Sequence, residues 1–129
     1  QFCIVSAAAA VLSFIGYSAY APSKWALRGL ADALRNELCG FNISVHIGYP
    51  PDTATPGFDT ENLSKPEETS AFSKFVGGAA YPPSAVAASF VGGLSAGLYH
   101  LPSPDWGQNR LVEGGSGASP RNNPILEYL

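Results

Sequence analysis

The chain opens on an unbroken apolar run, Phe2-Cys3-Ile4-Val5. Without polar alternation, such a run predicts a strand buried on both faces, as in a parallel sheet. Small residues follow from Ser6 to Ala10, and then the period changes. Leu27, Leu30, Ala31, Leu34 and Leu38 recur at helical spacing and predict a helix that begins between Tyr17 and Ala21 and runs to Leu38. Pro22 is tolerated only in its first turn, and Gly40 is expected to end it. Arg28 and Asp32, four apart, are expected on its solvent face. Ile43 to Tyr49 reads as a second strand, closed by Pro50-Pro51. Strand, long helix, strand in this order predicts a crossover in a parallel sheet. From Asp52 to Pro82 the chain is polar and interrupted by Pro56, Gly57 and Pro66, and a connection of that length points to a lid or binding loop. A further helix is predicted over Ser84 to Leu98 with Ser84 as N-cap, then a short strand over Leu98 to Leu101. Asp105 to Pro124, rich in Gly, Asn and Pro, is expected to be irregular. The predicted organisation is a strand-helix-strand unit over 1–49, a substrate or lid loop over 50–82, and a C-terminal helix and tail over 83–129.

Composition narrows the function. The 129 residues are 46% hydrophobic and only 13% charged, with a formal net charge of −3 and no methionine. Seven scattered Lys and Arg residues make no basic face, so nucleic acid is not an expected partner. Cys3 and Cys39 stand far apart, and neither His46 nor His100 has partners at ligand spacing; no metal is expected. His46 falls inside the second predicted strand and reads as a packed residue. Gln1 to Ser23 contains no charge, but Ser6, Ser13 and Ser18 interrupt a run that would need about 20 apolar residues to span a membrane. Low charge and the missing Met together lead us to expect part of a larger domain.

The sharpest constellation is Tyr20-Ala21-Pro22-Ser23-Lys24. Tyr and Lys four apart at the start of a helix lie on one face, one turn apart. A phenol titrates near pH ~10, and a nearby ammonium is expected to lower that value and turn Tyr20 into a serviceable proton donor. Such pairs also arise by chance as a core Tyr and a surface Lys. A serine hydrolase built on Ser6 or Ser116 with His46 is the weaker alternative, because G-x-S-x-G fails at Ala118.

Context decides between these. Gly16-Tyr17-Ser18-Ala19-Tyr20-Ala21-Pro22-Ser23-Lys24 resembles the G-Y-x-x-Y-x-x-S-K run of the short-chain dehydrogenases/reductases, and the likeness continues through Glu37-Leu38. Pro50-Pro51-Asp52-Thr53-Ala54-Thr55-Pro56-Gly57-Phe58 is similar to the branch of that family that reduces 3-ketodihydrosphingosine. The resemblance is specific over roughly residues 1–70 and loose beyond. It implies the C-terminal part of a Rossmann-like α/β fold, a doubly wound parallel sheet. It implies NADPH as hydride source, a sphingoid ketone as substrate, and Tyr20 and Lys24 as catalytic residues that also touch the cofactor. It further implies that the backbone at Pro50 and Thr53 holds the nicotinamide carboxamide, with the Thr55 hydroxyl near it, all three counted as cofactor-binding. A homo-oligomer through the Tyr20–Lys24 helix, with Trp25, Leu27 and Leu34 in the interface, is expected on the same ground. So is the cytosolic face of the endoplasmic reticulum membrane, with any anchor in segments outside this chain.

Two departures stand beside the likeness. The family's carbonyl-orienting Ser falls on Ala7. Ser6, the nearest substitute for substrate contact, is one residue off, which on a strand means the opposite face. No strand followed by a Gly-rich turn and helix is present to cradle a pyrophosphate; Gly114 to Gly117 reads as a loop. Both departures also fit a catalytically impaired fragment that serves as a binding or dimerisation module.

Overall fold

The computed structural model describes residues 1–76 and 79–115. Its framework is a three-stranded parallel sheet of β1 (Phe2–Val5), β2 (Val45–Gly48) and β3 (His100–Leu101), in that spatial order. Phe2 lies opposite Val45 and Val5 opposite Gly48; Ile47 lies opposite His100. Between β1 and β2 run a 3₁₀ turn at Ala8–Ala10 and the long helix α1 (Tyr20–Leu38). Between β2 and β3 come α2 (Pro56–Asn62), α3 (Glu67–Val76) and α4 (Pro83–Ser95); α5 (Trp106–Gly114) follows β3. The Rossmann-like α/β expectation is met in the form of a fragment.

Alternation along β2 explains the layering. Val45 and Ile47 point to one side and join Ile4, Ala10 and Ala31 in the core, with Leu27, Leu34 and Leu38 of α1 packed against them. Each side chain of that size withdrawn from water contributes about 1.5–3 kcal/mol. Gly48 points the other way, where an added Cβ would lie 2.5 Å from Phe90 Cε2 of α4. α1 and α4 therefore cover opposite faces, as double winding requires.

Several expectations change. β1 buries only Ile4, while Phe2 and Val5 are about half exposed, because β1 forms the sheet edge among the described residues. α1 ends not at Gly40 but through a 3₁₀ turn, Cys39–Phe41, that stops on Asn42 at φ 55°. The cap of α4 lies two residues early, at Pro82 instead of Ser84, with Pro83 in its first turn. The polar stretch 52–82 is not a bare loop: Thr55 caps α2 by accepting the Phe58 amide at 3.2 Å, and Glu67 and Glu68 sit where an α3 N-terminus favours negative charge. α5 falls in a segment expected to be irregular; the Asp105 carboxylate caps it by accepting the Gln108 amide at 2.8 Å. Among the described residues no helix is long and apolar enough to cross a membrane.

Arg28 is the largest correction. It is 6% exposed rather than on a solvent face. Its guanidinium donates to the Ala10 carbonyl at 3.3 Å and to the Gly115 carbonyl at 3.0 Å, tying α1 to the turn after β1 and to the end of α5. Asp32 meanwhile accepts the Tyr99 hydroxyl at 2.5 Å. Leu27 and Leu34 are partly buried and pack against the core, whereas Trp25 and Leu30 are exposed. Arg28→Ala strands two carbonyls in the interior and should lower unfolding free energy by about 2–4 kcal/mol in urea melts. Arg28→Lys, a point charge without the fork, should recover less than half of that.

Candidate active site

A cleft of about 500 Å³ opens at the carboxyl ends of β1 and β2. Its walls come from Ser6 and Ala7 after β1, Tyr17 and Tyr20 at the entry to α1, Pro50 to Thr55 after β2, and α2 and α3. In open parallel sheets this is where ligands bind.

Tyr20 is the first residue of α1 and is 42% exposed at the cleft wall. Lys24 lies one turn on and backs the ring, its Nζ 5.0 Å from the ring centroid. The two thus meet as their spacing predicts, but the ammonium covers the ring face instead of pairing with the hydroxyl. The expected lowering of the Tyr20 pKa is accordingly reversed. Burial of the phenol pushes it up, and the Glu61 carboxylate pushes it further in the same direction.

Strand parity decides Ser6. It is 3% exposed, and its hydroxyl donates to the Lys24 carbonyl at 3.0 Å. That bond fastens the end of β1 to the first turns of α1 and takes the Ser6 hydroxyl away from substrate contact. Ala7, extended at φ −161°, lines the cleft beside it with no side-chain donor to offer.

The loop after β2 is held from both ends. Gln108 of α5 donates its side-chain amide to the Tyr49 carbonyl. The Asp52 carbonyl and Ala54 amide pair with Tyr81, which turns the intervening Thr53 peptide groups away from Tyr81. Pro50, Thr53 and Thr55 all line the cleft. Both threonine hydroxyls are engaged locally, Thr53 donating to the Pro51 carbonyl at 2.7 Å and Thr55 capping α2. Backbone groups, not these hydroxyls, are what the loop can present. Gln108 escaped the sequence reading, although Asp105-Trp106-Gly107-Gln108 is a capping-box spacing that would have revealed α5.

Also missed is a polar and aromatic seam between the α1 entry and the helices above it. The Tyr17 hydroxyl donates to Glu61 Oε1. Lys65, its side chain 5% exposed, lies 3.6 Å from the same oxygen and 4.0 Å from Asp52. Ser73 donates to Asp52 at 2.7 Å, and Thr69 to the Ile15 carbonyl at 2.8 Å. Phe72, Phe14, Tyr17 and Tyr20 form a ladder of rings with centroid separations of 5.5, 6.3 and 5.8 Å. At Gly16, φ is +86° and a Cβ would lie 2.4 Å from Pro66, so only glycine admits this approach of the two segments. The i, i+4 pair Glu61 and Lys65 was the readable signal.

The donor set fits one end of a nicotinamide dinucleotide: a phenol, an ammonium behind it, and outward-facing backbone groups at Thr53. No phosphate cradle is found among the described residues. Gly114 ends α5 and Gly115 caps it, where a Cβ would meet Val11 Cγ1 at 2.6 Å; Ser116 and Gly117, with Ala118, lie outside the described residues. His46 is packed, its Nδ1 2.7 Å from the Leu98 carbonyl.

Comparison with known proteins agrees with this architecture. Residues 3–66 match the model of the short chain dehydrogenase family. A 3-ketodihydrosphingosine reductase from Dictyostelium discoideum is 52% identical over 97 residues, 75% of this chain and 28% of its own length. A 3-dehydrosphinganine reductase from Danio rerio is 53% identical over 73 residues, 57% of this chain and 22% of its own. A 3-ketodihydrosphingosine reductase from Neurospora crassa is 40% identical over 124 residues, 93% of this chain and 33% of its own. The chain thus spans about a fifth to a third of the length of these relatives. With β1 from Cys3 onward, the Tyr20–Lys24 helix, β2 and the Pro50–Thr55 turn inside the matched span, the chain belongs to the short-chain dehydrogenase family.

Proposed function

We propose that this chain carries the proton-donating half of an NADPH-dependent reductase that converts 3-ketodihydrosphingosine to dihydrosphingosine. The observation that carries this reading is the Tyr20 hydroxyl at the cleft wall with Lys24 behind its ring. The relatives named for that reduction share the surrounding sequence.

Members of the family generally use NADH or NADPH; NADPH is part of the proposal. When bound, the dinucleotide supplies a hydride to the ketone carbon. Tyr20 gives its proton to the ketone oxygen as negative charge develops there, so that the product is the alcohol. Lys24 holds positive charge behind the phenol, which favours the phenolate left after transfer, and its ammonium is assigned to the nicotinamide ribose. The backbone at Pro50 and Thr53 holds the carboxamide, while Thr55 acts by fixing the start of α2. Leu12, Phe14, Phe58 and Phe72 give the cleft an apolar wall suited to a long alkyl chain. A lipid substrate places the work at a membrane surface, assigned here to the cytosolic face of the endoplasmic reticulum. Self-association through α1 is assigned to its exposed Trp25 and Leu30.

Ala7 favours a second reading, an impaired site of the same descent, since the cleft lacks a hydroxyl donor at that position. NADPH oxidation with 3-ketodihydrosphingosine, by the protein expressed from its complete gene, decides between them. Tyr20→Phe should cut turnover about 100- to 10,000-fold while NADPH binding, followed by fluorescence, persists. Lys24→Ala should weaken both. Equal turnover in wild type and Tyr20→Phe overturns the mechanism.

Ala7→Ser should raise kcat by about 100- to 1000-fold if the site otherwise stands, the usual worth of an oxyanion donor. No gain, from a wild type that is inert, selects the second reading.

Because burial and Glu61 hold the Tyr20 hydroxyl above its ordinary value of 10.0, the donor form persists through neutral pH. Activity in the reductive direction should therefore fall only on the alkaline side of that value. Of the charges flanking the phenol, Lys24 and Glu61, removal of the second by Glu61→Gln should move this alkaline limb to lower pH.

A further inference from the structure

We propose that Glu61 is a specificity-determining residue that receives the substrate's amine, taking the ammonium on the carbon beside the ketone while Tyr20 protonates the ketone oxygen. This rests on the sphingoid-ketone reading above and adds the group that would tell such a substrate from a plain long-chain ketone.

Adjacency comes first. In a 2-amino-3-ketone the nitrogen and the reacting oxygen sit on neighbouring carbons, so whatever binds the amine must stand beside the proton donor. Glu61 does so. Its Oε1 holds the hydroxyl of Tyr17, whose ring packs edge-on against Tyr20 at 5.8 Å, and Glu61 and Tyr20 line the same cleft. The upward push that Glu61 exerts on the Tyr20 hydroxyl reports the same proximity.

Valence is the second argument. Tyr17 and Lys65 both engage Oε1, and among the described residues no hydrogen bond is made to Oε2. One oxygen anchors the side chain and the other is left for a ligand. A carboxylate immobilised in this way accepts a cation with little further ordering.

Charge is the third. Glu61 and Asp52 bring two negative charges to this part of the cleft, and Lys65 neutralises one. The remaining charge matches a single ammonium. Asp105, the other cleft carboxylate, is committed to capping α5, and Lys24 lies behind the Tyr20 ring. A clamp that only held α2 in place would need no such surplus.

The test compares 3-ketodihydrosphingosine with its analogue bearing hydrogen in place of the amine, using the protein from its complete gene. Wild type should prefer the amine by roughly 10- to 100-fold in kcat/KM, the worth of a hydrogen bond to a charged group. Glu61→Gln should collapse that ratio, mostly through KM for the amine, and Glu61→Asp should retain part of it. Lys65→Gln should leave the ratio at least as large, since it frees Glu61 rather than removing it. The inference is overturned if Glu61→Gln lowers both substrates by one factor, as a purely structural clamp would, or if wild type shows no preference. Wild type that reduces the deaminated ketone but not the sphingoid one sinks the substrate reading as well. A preference that survives Glu61→Gln sinks this inference alone.

Discussion

The guanidinium of Arg28 is the point on which the rest of the structure hangs. From one turn of α1 it reaches the carbonyl that follows β1 and the carbonyl that ends α5. Those two segments carry, respectively, the Ser6–Ala7 wall of the cleft and the Gln108 side chain that holds the exit of β2. A single planar, permanently charged group thus fixes the spacing between three segments that have no sheet hydrogen bonds in common. Its burial is tolerated because both ends of the fork are met by carbonyl oxygens.

Around that hub, the site is an exercise in parity. One step along an extended backbone separates a hydroxyl that serves the scaffold from a methyl group that faces the cleft. Ser6 is spent on the Lys24 carbonyl, and so the helix bearing Tyr20 and Lys24 is anchored to the sheet by the residue beside the one that would have addressed the substrate. The chemistry of the wall and the mechanics of the wall are therefore set by neighbours that cannot exchange roles.

What the sequence disclosed follows the same logic. Periodicity is a property of single elements, so β1, α1, β2 and α4 are legible within a few residues, and the Tyr20–Lys24 pair can be placed on one face. Long-range partners leave no such trace. Nothing local tells that Arg28 turns inward to two distant carbonyls, or that Lys24 sits over a ring while burial, reinforced by Glu61 of another helix, pushes the phenol upward. The helices over 56–62 and 67–76 are hidden differently. Proline and glycine read as breakers there, while the same Pro56 after Thr55 is a start signal. α5 is masked because glycine and asparagine content outweighs an Asp–Gln cap.

The bridge between Thr53 and Tyr81 carries a consequence of its own. It closes the long excursion from the sheet at its two feet, so that everything between Thr55 and Ala80 leaves and returns through one clasp. Sheet register is set before the clasp and after it. Residues inside the excursion can therefore be exchanged, lengthened or shortened without disturbing how the strands pair. That arrangement lets the ligand-facing half of the cleft change while the segments that carry Tyr20 and Lys24 keep their place against the sheet.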